Sequence, residues 1–223
     1  GEYFENEKAG QFPDTKWKIN NLGKGWVLGE TLITGIGQGY TQTTPIQLCL
    51  MTAQIANGGY KIQPKILTDD NQLTSEQVKK AMEDSKSNDF YEPLYDDQKN
   101  IRIIQEAMFS STNEIMGTSY KSRIDDPKYQ FAGKTGTAQV KRISKREREL
   151  DLKTFQIPYE ERDHALYVAY GPYTNPRYAL SIIVEHGGSG STAAAPMATK
   201  LFKLIVDRHE YRKQLLEYKD FSI

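Results

Sequence analysis

The spacing of apolar and polar positions changes character along the chain, and those changes mark its elements. The clearest helical block begins at Thr44-Pro45-Ile46-Gln47, which offers a capping hydroxyl, a proline in the first helical position and a glutamine three residues after the cap. Apolar residues follow at Ile46, Cys49, Leu50 and Ala53 on one side and at Leu48, Met51 and Ile55 on another, predicting a helix buried on most of its circumference. Asn57-Gly58-Gly59 stops it, since glycine takes the left-handed closing conformation without penalty. A second helix is predicted from Asp96 or Asp97, with Ile101, Ile104, Met108 and Ile115 at helical spacing and Gly117 as its end.

The remaining pattern is that of a small sheet closed by a helix. Residues Phe131 to Val140 read as a strand interrupted by Gly133 and Gly136, and His164 to Tyr170 as a central strand, apolar on both faces. A turn over Gly171-Pro172-Tyr173-Thr174-Asn175-Pro176 leads into a strand from Arg177 to Glu185, making an antiparallel hairpin. After Gly187-Gly188-Ser189-Gly190 a long helix is predicted from Thr192 to about Lys213, its inward stripe formed by Met197, Leu201, Leu204 and Ile205. Four stretches lack such periodicity. Gly1 to Gly35 reads as irregular structure around Trp17 and Trp26, and Tyr60 to Leu67 as a short strand or link broken by Pro64. Thr68 to Lys99 is polar and acidic, with a short helix around Ser75 to Glu83, and Lys141 to Asp163 is a charged excursion between strands. Helices, then strands, then a closing helix describe an α+β plan with an antiparallel sheet packed against helices.

Composition narrows the chemistry. The 223 residues carry 29 basic and 29 acidic side chains, so there is no one-signed field of the kind that draws nucleic acid or an anionic membrane. The basic run Lys141 to Arg148 is offset locally by Glu147, Glu149 and Asp151. At 38% apolar and 26% charged the chain folds as a globular domain with solvated excursions rather than as a disordered or fibrous one. Cys49 is the single cysteine, which excludes an intrachain disulfide and a cysteine-based zinc cluster. His164, His186 and His209 show no metal-ligand spacing, and His186 beside the glycine loop reads as a structural hydrogen-bonding residue. Neither the glycines of 187–190 nor Gly35-x-Gly37-x-Gly39 completes a phosphate or dinucleotide fingerprint, so no cofactor is expected.

The motif with chemical content is Gly133-Lys134-Thr135-Gly136-Thr137. Lys-Thr-Gly occurs in serine acyl-transfer enzymes that act on penicillin or on the peptides it mimics. Gly136, lacking Cβ, lets a substrate backbone come close to the strand, and a strand edge there can pair with an extended peptide. Period-two alternation sets Thr135 and Thr137 on one side, where hydroxyls can meet a carboxylate. Lys134 supplies a positive charge near a developing oxyanion or a substrate carboxylate.

The motif does not stand alone. Gly35-Ile-Gly-Gln-Gly-Tyr40, Thr44-Pro-Ile-Gln47, Ala56-Asn-Gly-Gly59, Gly133-Lys-Thr-Gly-Thr-Ala138, His164-Ala-Leu-Tyr-Val-Ala-Tyr170, Asn175-Pro-Arg-Tyr178, Val184-Glu-His-Gly-Gly188 and Ala193-Ala-Ala-Pro196 together resemble the penicillin-binding transpeptidases, in particular the class B, cell-elongation type. The resemblance runs from about Gly10 to Lys203, leaving the polar stretches at about 68–99 and 141–163 as insertions. It implies a peptidoglycan D,D-transpeptidase, part of a fold shared with serine β-lactamases, in which Lys134 polarises the site and holds the serine network. It further implies that Thr135 and Thr137 bind the carboxylate of substrate or β-lactam, that Gly136 admits the substrate, and that the backbone N–H of Thr137 is one of two oxyanion donors.

The same resemblance implies a Ser-x-x-Lys nucleophile, and no Ser-x-x-Lys occurs in the sequence. Ser111-Thr112-Asn113 fits the family's second pattern by letters but falls at a predicted helix end, and reads as coincidence. The expectation is therefore the C-terminal portion of one transpeptidase domain, inactive alone, with the nucleophile and a membrane anchor on polypeptide preceding Gly1. The implied partners are that polypeptide, peptidoglycan stem peptides, β-lactams and the elongation machinery, on the outer face of a bacterial inner membrane. Two rivals stand beside it: a noncatalytic interaction or scaffold domain, and a β-lactamase or β-lactam-sensor relative. Apolar surfaces without cover lead to a further expectation, self-association.

Overall fold

The computed structural model describes residues 7–62, 64, 93–140 and 152–220. Three antiparallel strands form its sheet: β1 (Ala132–Ala138), β2 (His164–Gly171) and β3 (Tyr178–Val184), in the order β1-β2-β3. Thr135 pairs with Tyr167 across the first ladder and Val168 with Ser181 across the second. The central place of β2 and the β2–β3 hairpin are as the sequence predicts. The first strand differs: it runs through Gly133 and Gly136 without interruption and is shorter at both ends.

The described residues hold five α-helices, α1 (Thr15–Leu22), α2 (Leu28–Gly35), α3 (Pro45–Ala56), α4 (Gln98–Asn113) and α5 (Ala195–Asp220), of which α3, α4 and α5 pack on the sheet. The two faces of β2 have different cover. Ala165, Tyr167 and Ala169 point into a core shared with Phe131, Ile124 and the α5 side chains Ala195, Ala198 and Phe202. Tyr170 on the other face joins Ala132, with Met108 and Phe109 of α4 and Ile55 of α3.

The α5 stripe corrects the sequence reading. Ala198, Phe202 and Val206 face inward, whereas Met197, Leu201 and Leu204 are exposed. Both sets satisfy the helical period, but the small side chains of Ala195 and Ala198 let the helix axis approach the sheet and Phe202 stack on Phe131 at 4.8 Å. The helix also begins later than predicted, at Ala195, because a wider helical turn over Gly190–Ala194 precedes it.

The opening segment is the second correction, since it holds two helices where irregular structure was expected. Asp14 caps α1, accepting the Trp17 N–H at 2.6 Å, and Gly23 closes it at φ +64°. Glu30 accepts the Val27 N–H at 2.8 Å to start α2. These are cap signals without an inward apolar stripe, so periodicity alone passes over them. The third correction concerns α3. Its capping box forms as predicted, Thr44 accepting the Gln47 N–H and Gln47 accepting the Thr44 N–H. Yet Thr52 is its one buried residue, and Ile46 is 56% exposed. Helix α4 starts after Asp97 as predicted but ends at Asn113, four residues before Gly117. Of the Tyr60–Leu67 link, Tyr60 bridges to Pro93. The short helix around Ser75 to Glu83 and residues 141–151 of the charged excursion lie outside the described residues.

Candidate active site

Strand β1 forms one edge of the three-stranded sheet, and three side-chain donors, two of them from outside the sheet, identify which backbone atoms face away from it. Thr112 Oγ1 donates to the Gly133 carbonyl at 3.4 Å, Lys134 Nζ to the Thr135 carbonyl at 2.9 Å, and Gln38 Nε2 to the Thr137 carbonyl at 2.7 Å. In an antiparallel ladder the N–H and C=O of one residue point to the same side. The Thr137 N–H therefore also faces outward, while Gly136 pairs inward with Leu166.

Around that edge the four predicted site residues lie together. Lys134 is exposed, and its ammonium, besides capping the Thr135 carbonyl, lies 3.5 Å from Thr135 Oγ1. Thr135 is half-buried, its hydroxyl 3.2 Å from that of Thr118, which is in turn 3.2 Å from Ser111 Oγ on the last turn of α4. Thr137 is exposed on the same face of the strand. At Gly136 an added Cβ would lie 3.3 Å from Leu166 Cβ, so the absence of a side chain keeps this part of the strand open.

Sequence reasoning passes over several contributors. Gln38, 99 residues away in the chain, holds the Thr137 carbonyl; the cluster Gly35 to Tyr40 marks the segment, but nothing in its letters ties it to that strand. Gly133 is a glycine for a different reason from Gly136. The ring of Tyr167 crosses β1 at this point, and a Cβ on residue 133 would overlap the phenol oxygen. Beyond the strand that oxygen meets Thr112 Oγ1 at 2.9 Å and Ser119 Oγ at 3.1 Å. Burial pushes the Tyr167 phenol up from its ordinary pKa, with the two hydroxyls partly offsetting it, so it stays neutral and can donate. Gly190 packs against the backbone of Gly136 and Leu166 from the turn before α5.

Within Ser111-Thr112-Asn113, the last two residues tie the end of α4 to the start of β1. Thr112 is buried beneath Gly133, and Asn113 Nδ2 donates to the Phe131 carbonyl at 2.9 Å. His186 has a structural place too: its N–H donates to His164 Nδ1 at 2.9 Å, and its ring Nδ1 lies 3.0 Å from the Arg162 carbonyl.

Comparison with known proteins gives the family of the chain. The family model of the penicillin binding protein transpeptidase domain matches residues 2–203. Peptidoglycan D,D-transpeptidase MrdA of Haemophilus influenzae is 31% identical over 98% of this chain and 33% of its own length. MrdA of Salmonella typhimurium is 33% identical over 90% of this chain and 31% of its own. The chain thus spans about a third of the length of the curated relatives it matches. Among solved structures, penicillin-binding protein 2 in complex with MreC from Helicobacter pylori superposes with a TM-score of 0.68 at 30% identity, over 91% of this chain and 32% of that one. Penicillin-binding protein 2 of Pseudomonas aeruginosa in complex with WCK 5153 gives 0.62 at 32% identity, over 88% and 38%. The chain belongs to the penicillin-binding protein transpeptidase domain family, and its similarity is to the penicillin-binding protein 2, or MrdA, type.

Proposed function

We propose that this chain forms the Lys-Thr-Gly wall of a peptidoglycan D,D-transpeptidase active centre in cell-wall elongation. The observation that carries the reading is the outward-facing edge of β1, with Lys134, Thr135 and Thr137 beside an N–H directed away from the sheet. A serine oxygen attacks the penultimate D-alanine carbonyl of a stem peptide, the C–N bond breaks, and the terminal D-alanine leaves with a proton. The amine of a neighbouring stem then displaces the serine oxygen to give the cross-link. In this scheme the Thr137 N–H bonds the carbonyl oxygen as it becomes an oxyanion, which places a fixed dipole where charge develops. Thr135 and Thr137 hydroxyls hold the terminal carboxylate, which a β-lactam reproduces. Gly136 admits the substrate backbone. Lys134 adds positive potential and orients the serine network.

The 223 residues contain no Ser-x-x-Lys, so the serine is supplied by polypeptide outside them and this chain is catalytically silent alone. We read it as the C-terminal portion of one domain with polar insertions at about 68–99 and 141–163, working with stem peptides, β-lactams and elongation proteins on the periplasmic face of the inner membrane. The complex of the Helicobacter pylori relative with MreC supports the elongation partner. No helix among the described residues is long and apolar enough to cross a membrane.

The test uses fluorescent penicillin and intact mass. The full-length enzyme carrying this chain forms a stoichiometric adduct, whereas the isolated 223 residues form none. Lys134→Ala in the full-length enzyme slows acylation by about 10²–10³ with folding retained. A covalent adduct on the isolated chain, or an unchanged rate in the Lys134 variant, defeats the proposal.

A further inference from the structure

Thr135 carries one O–H donor and two acceptor lone pairs, so its usefulness to an anionic ligand depends on where its single proton points. Its oxygen lies 3.5 Å from the Lys134 ammonium, a group that can only donate, and 3.2 Å from Thr118 Oγ1. If Thr135 donated to Thr118, nothing would remain for a carboxylate, and its lone pairs would face the ligand. If Thr118 donates to Thr135, the Thr135 proton is released toward the ligand.

The surroundings of Thr118 allow this direction. Its oxygen lies 3.2 Å from Ser111 Oγ, which can fill one of its lone pairs, leaving its own proton for Thr135. The Ser111 carbonyl accepts both the Ser119 N–H and Ser119 Oγ, each at 3.0 Å, which fastens the segment to the end of α4 on the far side of Thr118. Ser119 in turn meets the buried Tyr167 phenol that passes across β1 at Gly133. Gly117 permits the close return, since a Cβ there would overlap the Ser110 and Ser111 carbonyls. The hydroxyl beside Thr135 therefore sits on a segment outside the Lys-Thr-Gly motif that Ser119 fastens to the end of α4 and to the Tyr167 phenol.

We infer that Thr118, held by Ser111, is a positioning residue that donates to Thr135 Oγ1 and so directs the Thr135 proton to a ligand carboxylate. The inference rests on the transpeptidase reading and adds to it a determinant of specificity for carboxylate-bearing acyl donors. Thr118 itself is exposed and lies outside both elements it joins, so changing it leaves the core intact.

The experiment measures acylation of the full-length enzyme by benzylpenicillin and by its neutral methyl ester, for wild type, Thr118→Val and Thr118→Ser. Thr118→Val, of equal shape, leaves the Thr135 hydroxyl free to rotate away from the ligand, and is expected to lower the second-order rate with benzylpenicillin by about fivefold, the size of the one neutral hydrogen bond that held it. It should lower the rate with the ester by no more than about twofold, since the ester offers the redirected proton a weaker acceptor. Thr118→Ser keeps the donor and restores the acid-selective rate. Equal losses on both ligands, or a valine variant that matches wild type on benzylpenicillin, would overturn the inference. A serine variant as slow as valine does the same. Absence of any acylation in wild type instead defeats the transpeptidase reading itself, so the two failures are separable.

Discussion

The two ends of the described chain are built on opposite principles. Around the sheet, apolar side chains are inside: Phe131, Tyr167 and Phe202 are fully buried and the alanines of α5 close the gaps. In α1 and α2 the arrangement is inverted. The buried residue of α1 is Lys18, held by Glu30 at 2.6 Å and the Gly25 carbonyl at 2.7 Å, while Leu28, Leu32 and Ile36 are 77%, 68% and 76% exposed. A charge pair with one hydrogen-bonded carbonyl specifies geometry but contributes little net stability, because desolvation offsets much of the attraction. The sheet unit therefore holds itself together by packing, and the opening helices are shaped by polar contacts.

The largest expected effect comes from the sheet unit. Phe202→Ala removes a ring stacked on Phe131 from a site with no solvent access, and should cost about 3–5 kcal/mol. Denaturant unfolding followed by far-ultraviolet circular dichroism checks this. A cost under about 1 kcal/mol would mean that α5 does not close the core.

The same contrast explains which parts were legible in sequence. The hairpin was readable because β2 is apolar on both faces, and α3 and α4 were readable from their caps. The α5 stripe was misread because Leu and Met outweigh Ala in a hydrophobicity count, although the close approach of helix to sheet needs Ala195 and Ala198. The opening helices were missed because their apolar positions face outward. Within the site, Lys134, Thr135, Gly136 and Thr137 were legible as adjacent letters. Gln38 and Thr118 were not, since each reaches the strand through backbone turns whose outcome only the fold reveals.

A smaller effect separates the two faces of β2. Tyr167 bonds two hydroxyls, so Tyr167→Phe removes buried hydrogen bonding to Thr112 and Ser119, which keep the Gly133 and Ser111 carbonyls, and should cost about 1 kcal/mol. The Tyr170 phenol is buried without a partner among the described residues, so Tyr170→Phe should be neutral or mildly stabilising. Burial, with a lesser contribution from Tyr173, pushes the Tyr170 phenol well up. A raised pKa means stability that is complete below the ordinary tyrosine value of about 10 and lost as pH rises above it. Urea midpoints at about pH 7 and about pH 10.5 decide the matter. The comparison fails if Tyr170→Phe is the costlier variant at neutral pH or leaves the alkaline loss unchanged.

Changes on the exposed side of α2 should alter stability least while changing association most. Leu32→Ser together with Leu28→Ser should shift the unfolding free energy by no more than about 0.5 kcal/mol. If the outward apolar side chains drive self-association, sedimentation of the isolated chain at micromolar concentration shows oligomers that the double variant reduces. A monomeric parent chain would remove that role from α2.

The most local effect is expected in acid, and the chain carries its own reporter. Trp17 and Trp26 are its two tryptophans, and both lie in the opening unit: Trp17 beside Tyr40 at 5.3 Å, and Trp26 with its Nε1 on Thr31 Oγ1 at 2.8 Å. The hydrogen bond from Lys18, then that from the Val27 N–H, holds the Glu30 carboxyl below its ordinary pKa. A lowered carboxylate pKa means stabilisation that is present above the ordinary value of about 4.3 and lost as pH falls through the folded value. Protonation leaves the buried Lys18 ammonium with the Gly25 carbonyl and a weakened acceptor at Glu30. Tryptophan emission should therefore change on titration from about pH 7 to about pH 3 before the far-ultraviolet signal of the sheet and α5 moves. Glu30→Gln should bring that change forward to neutral pH and flatten the rest of the curve, whereas Asp14→Asn, which preserves the cap oxygen on the Trp17 N–H, should leave the titration in place. Coincident loss of both signals in the parent chain would mean that the two ends unfold as one unit, and the contrast between them would be one of composition alone.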